Sequence, residues 1–127
     1  MSESDPVRVV RPEDRVEADP TAGMIRERAI DADGLWAGLV RTAPGAASAW
    51  HHHGDHETVI YVARGSLRME SGTGGLDVLA AAAGDFLHVP KGSIHRESND
   101  GDEESHLIVL RAGHGAPTIN VDGPASA

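Results

Sequence analysis

The segment Trp50-His51-His52-His53-Gly54-Asp55-His56-Glu57-Thr58 gathers four of the chain's eight histidines and two carboxylates, and metal binding is the chemistry such side chains do best. A neutral imidazole offers a lone pair near physiological pH and is the commonest biological metal ligand. Residues two apart on a strand share a face, so His51 and His53 would point one way and His52 the other. His95 follows a turn-forming stretch, Pro90-Lys91-Gly92-Ser93-Ile94, which can return it toward the first pair from a different strand. A lone histidine is more often an ordinary surface or core residue than a ligand. The His-x-His pair with a third histidine on its own turn is what favours the metal reading. A purification tag fits poorly, because the run is internal and mixed with Gly-Asp. The chain has no cysteine, which excludes thiolate sites, disulfides and cysteine nucleophiles. Any metal here would be held by nitrogen and oxygen.

These residues need strands to hold them, and the sequence supplies strands throughout. Thr58-Val59-Ile60-Tyr61-Val62 is almost wholly β-branched, with one aromatic. Met24 to Ile30 and Leu35 to Val40 flank the turn Asp31-Ala32-Asp33-Gly34, and Ser66 to Glu70 and Leu76 to Leu79 flank a glycine-rich turn; each pair reads as a hairpin. Phe86 to Val89, Ile94 to Glu97 and Ser105 to Leu110 complete the set. No apolar period of 3.6 residues persists, while short strands recur between turns, so the expected class is all-β, a barrel or sandwich. At 127 residues the chain is of single-domain size. The expected division is a flexible N-terminal arm over 1–22, with an edge strand at Val7 to Val10, a barrel over 23–112, and an irregular tail over 113–127 in which Thr118 to Val121 can pair at an edge.

Two motifs make the chain resemble a single-domain cupin, an RmlC-like jelly-roll β-barrel or double-stranded β-helix. Gly84, Pro90, Gly92, His95 and Asn99 reproduce the family's G-x5-P-x-G-x2-H-x3-N pattern without departure. The family's first motif, G-x5-H-x-H-x3/4-E-x6-G, fits Gly45, His51 and His53, and then the counts diverge. Counting forward from His53 reaches Glu57, whereas counting back from Gly65 reaches Thr58. Strand parity places Thr58 on the inner face with Ile60 and Val62 and turns Glu57 outward. A bulge would reverse this for Glu57 or bring in His56. The resemblance implies a divalent ion, Fe, Zn, Mn or Ni, held by His51, His53 and His95, with Glu57, His56, Thr58 or water as the fourth ligand.

What the resemblance implies about activity is broad. Small cupins include dioxygenases, isomerases, decarboxylases and cyclases, and a fold does not select among them. Three neutral imidazoles leave the ion its full charge, which favours a polar or anionic small organic substrate. The alternative is a binding or sensing module whose metal is structural or absent. Glu97 shares the parity of His95 and is the candidate proton acceptor, or a partner holding a ligand imidazole. Arg26 could meet a substrate carboxylate, although an arginine on a charged strand is more often solvated. Trp50 and Tyr61 read as packing residues, and His88 and His106 as structural. With 20 Asp plus Glu against 11 Lys plus Arg, the net charge of −9 disfavours a nucleic-acid partner. No apolar run is long enough to span a membrane and no signal sequence is evident, so the expected location is the cytoplasm. A barrel face bearing apolar or aromatic residues such as Tyr61, and an extended segment before Met24 long enough to add an edge strand to a neighbour's sheet, lead us to expect a homodimer.

Overall fold

The computed structural model describes residues 4–126. Eleven strands follow in chain order: β1 Val16–Thr21, β2 Met24–Ala32, β3 Leu35–Thr42, β4 His51–His52, β5 Glu57–Arg64, β6 Ser66–Ser71, β7 Asp77–Ala82, β8 Phe86–Val89, β9 His95–Ser98, β10 Ser105–Ala112 and β11 Ile119–Asn120. The only helical element among the described residues is a single 3-10 turn, Pro12–Asp14. One sheet has the order β1-β2-β3-β10-β5-β8 and the other β11-β4-β9-β6-β7, with every strand pair antiparallel. This is the expected all-β architecture.

The inner faces of three neighbouring strands explain both the core and the site. Along β5 the inward residues are Val62, Ile60 and Thr58; along β10 they are Leu107, Val109 and Arg111. On β3, Val40 lies opposite Leu107, Gly38 opposite Val109 and Trp36 opposite Arg111. Each row therefore begins apolar and ends polar or aromatic at the same end of the barrel. The apolar half, joined by Leu87 and Val89 from the neighbouring β8 and by Leu67 and Met69 from β6 of the other sheet, forms the core, where each fully buried aliphatic side chain contributes ~1.5–3 kcal/mol. From the polar end, Thr58 and Arg111 line a pocket. Gly38 is required there: a Cβ would meet the Trp36 ring at 2.6 Å and the Glu27 carbonyl at 2.5 Å, so the indole lies directly over the glycine backbone.

Two elements differ from the sequence expectation at the N-terminal end. Val7 and Val9 are exposed and form no strand; the edge strand is β1, which pairs with β2 at the rim of the larger sheet. An edge position accommodates Pro20, which cannot donate to a ladder. The register shifts between Ala18 and Thr21, and Asp19 sits there at φ 49°, an unusual conformation for a residue other than glycine. At the other end, Ile119 and Asn120 pair with His52 and His51, so the tail adds a strand to the edge where Thr118 to Val121 suggested one.

The glycine-proline-histidine motif is built around Asn99. Its buried amide donates to the carbonyls of Thr42 and Glu103, and its Oδ1 accepts from the Gly101 amide. Its own carbonyl accepts from the Gly45 amide at 2.7 Å. One side chain thus ties the turn after β9 to the end of β3 and fixes where β9, and hence His95, enters the barrel.

Candidate metal centre

His51 lies directly opposite His95 in the β4–β9 pairing, and His53 continues the same face two residues on. The three rings converge, with centroids 4.2 Å apart for His51 and His95 and 5.0 Å for each pair involving His53. One ligand atom from each lies within 4.8 Å of the other two, and all three residues are buried. Each ring is held by a backbone carbonyl: His51 Nδ1–H donates to Ala49 at 2.7 Å, His53 Nδ1–H to Pro117 at 2.8 Å and His95 Nδ1–H to Ser93 at 2.9 Å. A carbonyl can only accept, so Nδ1 carries the proton in each ring and Nε2 keeps its lone pair, as metal ligation requires. Burial, reinforced by the neighbouring His95, lowers the pKa of His51, and burial pushes that of His53 down to about 3. Both are therefore neutral at neutral pH and competent as ligands. The donor set and its orientation fit a divalent ion of the zinc or iron type.

The inward position on β5 belongs to Thr58, which is 1% exposed; its Oγ1 has no hydrogen-bond partner among the described residues. It lines the pocket with the three histidines. Neither Glu57 nor His56 joins them, which corrects their candidacy as ligands. Strand parity turns Glu57 to the outer face, where its carboxylate accepts from His88 Nε2 at 2.9 Å and from the Lys91 amide at 3.1 Å. These bonds, His88 first, hold its pKa below the ordinary carboxylate value. The β5–β10 register is unbroken from Glu57 to Val62, so no bulge rotates Glu57 inward. His56 is buried in the turn after His53, with Nδ1–H donating to the His53 carbonyl.

The pocket, about 450 Å³, is floored by Val40, Ile60 and Val109. Glu97 lines it as its parity implied, and among the described residues its carboxylate makes no hydrogen bond or ion pair. Arg26 also faces in, held at the β1 irregularity by the Asp19 carbonyl at 2.9 Å and Thr21 Oγ1 at 2.6 Å. Sequence reasoning missed Arg111, although a charged residue continuing the inward row of Leu107 and Val109 was the available signal. It is 5% exposed, lies opposite both Thr58 and Trp36, and stacks its guanidinium 4.5 Å from the Trp36 ring. Burial, then the nearby Arg26, lowers its pKa. The Pro117 carbonyl had no sequence signal, because any residue can supply one.

Trp50 lies away from this pocket, packed on Gly75 with Arg96 over its ring at 4.7 Å. Tyr61 is on the outer face against the exposed Phe86, with centroids 4.7 Å apart. His88 and His106 take the structural roles expected of them, paired with Glu57 and Glu104.

The family model described as Cupin domain matches residues 38–111, a span that contains all three histidines. A comparison with curated proteins found no match. Solved structures share the fold. KdgF from a Halomonas species superposes with a TM-score of 0.74 at 21% identity, covering 87% of this chain and 96% of that one. An uncharacterised conserved protein with a double-stranded β-helix domain from Klebsiella pneumoniae gives 0.70 at 23% identity, covering 82% and 90%. A mutant of Bacillus subtilis oxalate decarboxylase gives 0.70 at 22% identity, covering 80% of this chain and 29% of that one.

Proposed function

The chain belongs to the cupin domain family, and from the three buried imidazoles at the mouth of its barrel we propose that it is a small metalloenzyme acting on a polar or anionic small organic molecule. The observation that carries this reading is the orientation of the rings: three carbonyls fix the protons on Nδ1 of His51, His53 and His95, and the three remaining nitrogens converge in one pocket. A bound divalent ion, Fe, Zn, Mn or Ni, would supply Lewis acidity there or, for iron, redox chemistry. The protein's own part is to hold the imidazoles neutral, shelter the site and orient the substrate. Glu97 is the one pocket carboxylate on the same strand as His95, and we assign it the role of accepting a substrate proton. The fold neighbour named as an oxalate decarboxylase is consistent with a cupin barrel hosting chemistry on a small organic acid.

Elemental analysis of protein purified without a histidine tag tests this reading. One equivalent of a transition metal per chain is expected, with proportionate loss in a His51→Ala/His53→Ala variant. A metal-free protein that takes up no Fe(II), Zn(II), Mn(II) or Ni(II) on titration would overturn it, and would leave a non-catalytic binding module as the surviving reading. Oxygen consumption dependent on both Fe(II) and substrate would select the dioxygenase branch; equal activity with Zn(II) would exclude it.

We further assign the chain to the cytoplasm and to a homodimer. No helix among the described residues is long and apolar enough to cross a membrane. The dimer reading rests on apolar side chains left on outer faces, including Phe86 at 72% and Leu76 at 82% exposure, which a second copy would cover. Light scattering is expected to give twice the mass of one chain; a monomer at every concentration would overturn it.

A further inference from the structure

Five buried side-chain polar atoms among the described residues lack a hydrogen-bond partner, and two of them, Thr58 Oγ1 and Arg111 Nε, belong to cross-strand neighbours that both line the three-histidine pocket. Arg111 is the exceptional one. Its guanidinium is always charged and presents five donors, yet among the described residues it makes no hydrogen bond and no carboxylate lies within ion-pair distance. It sits over the face of Trp36 at 4.5 Å, a contact that uses none of its N–H donors. The three other charged pocket residues do not pair with it: Glu97 and Asp19 both stand beyond ion-pair distance, and Arg26 adds a second positive charge. A protein keeps a buried cation unpaired only at a cost in stability, and the alternative of neutralising itself is closed to arginine.

Resting on the metal-centre reading above, we propose that Arg111, seconded by Arg26, is a carboxylate-binding subsite of the same pocket, so that the substrate is a small organic acid. Its carboxylate lies in the plane of the Arg111 guanidinium, while a donor atom farther along the molecule faces His51, His53 and His95. The guanidinium fork matches the two oxygens of a carboxylate. The pocket has no glycine among its lining residues and no helix N-terminus, and so lacks the nest of amides that a phosphate site uses. Trp36 is a positioning residue: packed against Gly38, its ring supports the Arg111 guanidinium at 4.5 Å.

Calorimetric titration with malonate tests the subsite, using wild type and Arg111→Gln, each metal-free and loaded with Zn(II). Wild type is expected to bind malonate without metal and more tightly with it, and Arg111→Gln to weaken binding ~10-fold or more in both states. Zn(II) affinity measured without malonate is expected to hold steady or tighten in the variant, since a cation has left the neighbourhood of His53. Arg26→Gln, on a half-buried edge-strand residue, is expected to weaken malonate binding by a smaller factor and serves if Arg111→Gln does not fold. Arg111→Met is expected to melt at a higher temperature than wild type without ligand, because an apolar side chain replaces an unpaired charge; a lower melting temperature would assign Arg111 to packing on Trp36 and overturn the proposal. Equal malonate affinity in wild type and Arg111→Gln, or inorganic phosphate binding as tightly as malonate, would also overturn it. Failure of wild type to bind Zn(II) would sink the metal reading alone, because the metal-free titrations still read the subsite.

Discussion

His95→Ala is expected to lower affinity for a divalent metal by more than ~100-fold, while His52→Ala changes it by about threefold or less, although His52 stands between two of the proposed ligands. The difference follows from direction, not proximity. His95 lies across the β4–β9 pairing from His51, its Nδ1 proton is fixed on Ser93, and its other nitrogen faces the pocket. Loss of a group that merely orients a ligand commonly costs 10–100-fold, and loss of the ligand itself leaves two imidazoles, too few to close a tetrahedral or octahedral shell against water. His52 points to the other face, where its Nδ1 accepts from the Gly54 amide at 3.0 Å. Removing that bond loosens the turn beyond β4 by the worth of one part-buried hydrogen bond. Competition titration of Zn(II) against a chelator reads both variants, with circular dichroism to confirm that each is folded. Equal losses would mean that the His-x-His face is not the one the strand presents inward.

The parts of the site that lie on regular strands were legible in the sequence, because alternation alone decides which side chains point inward. His51, His53 and Thr58 follow from that rule, and so does the outward turn of Glu57. His95 follows from the proline-glycine turn before it, whose closing residue, Asn99, secures the strand through hydrogen bonds to Thr42 and Glu103. What the sequence hid depends on strands meeting at a distance. Arg111 has the right parity, but only the pairing of β10 with both β3 and β5 shows that it stands between Trp36 and Thr58. Arg26 looked solvated within Arg26-Glu27-Arg28, and it is the irregular backbone at Asp19 that supplies the carbonyl holding it over the pocket. Local propensity likewise favoured an edge strand at Val7 to Val10. The partner strand β2 instead extends far enough to pair with Val16–Thr21, and the more valine-rich segment is left exposed.

Thr58→Glu is expected to tighten divalent metal binding by about tenfold or more, the worth of one charge-assisted contact, and to weaken binding of anionic ligands. Thr58 is the inward β5 residue nearest the histidines, its hydroxyl has no partner, and a pocket of about 450 Å³ adjoins it. A carboxylate there reaches the ion that three neutral imidazoles leave with its full charge, and cancels part of that charge. It also lies across the strand pair from Arg111, so in the metal-free protein the same carboxylate can pair with the guanidinium. Thr58→Glu should therefore raise the melting temperature before any metal is added. The two effects separate in the double variant Thr58→Glu/Arg111→Gln: the gain in metal affinity is expected to persist or grow, since the carboxylate no longer has a competing cation, and the gain in metal-free stability to shrink. Glu57→Gln should leave metal affinity unchanged, because its carboxylate is engaged on the outer face by His88 and Lys91. Should Glu57→Gln release the metal and Thr58→Glu leave affinity unaltered, β5 would have to be rotated by one residue relative to β10, and the fourth ligand would be Glu57 after all.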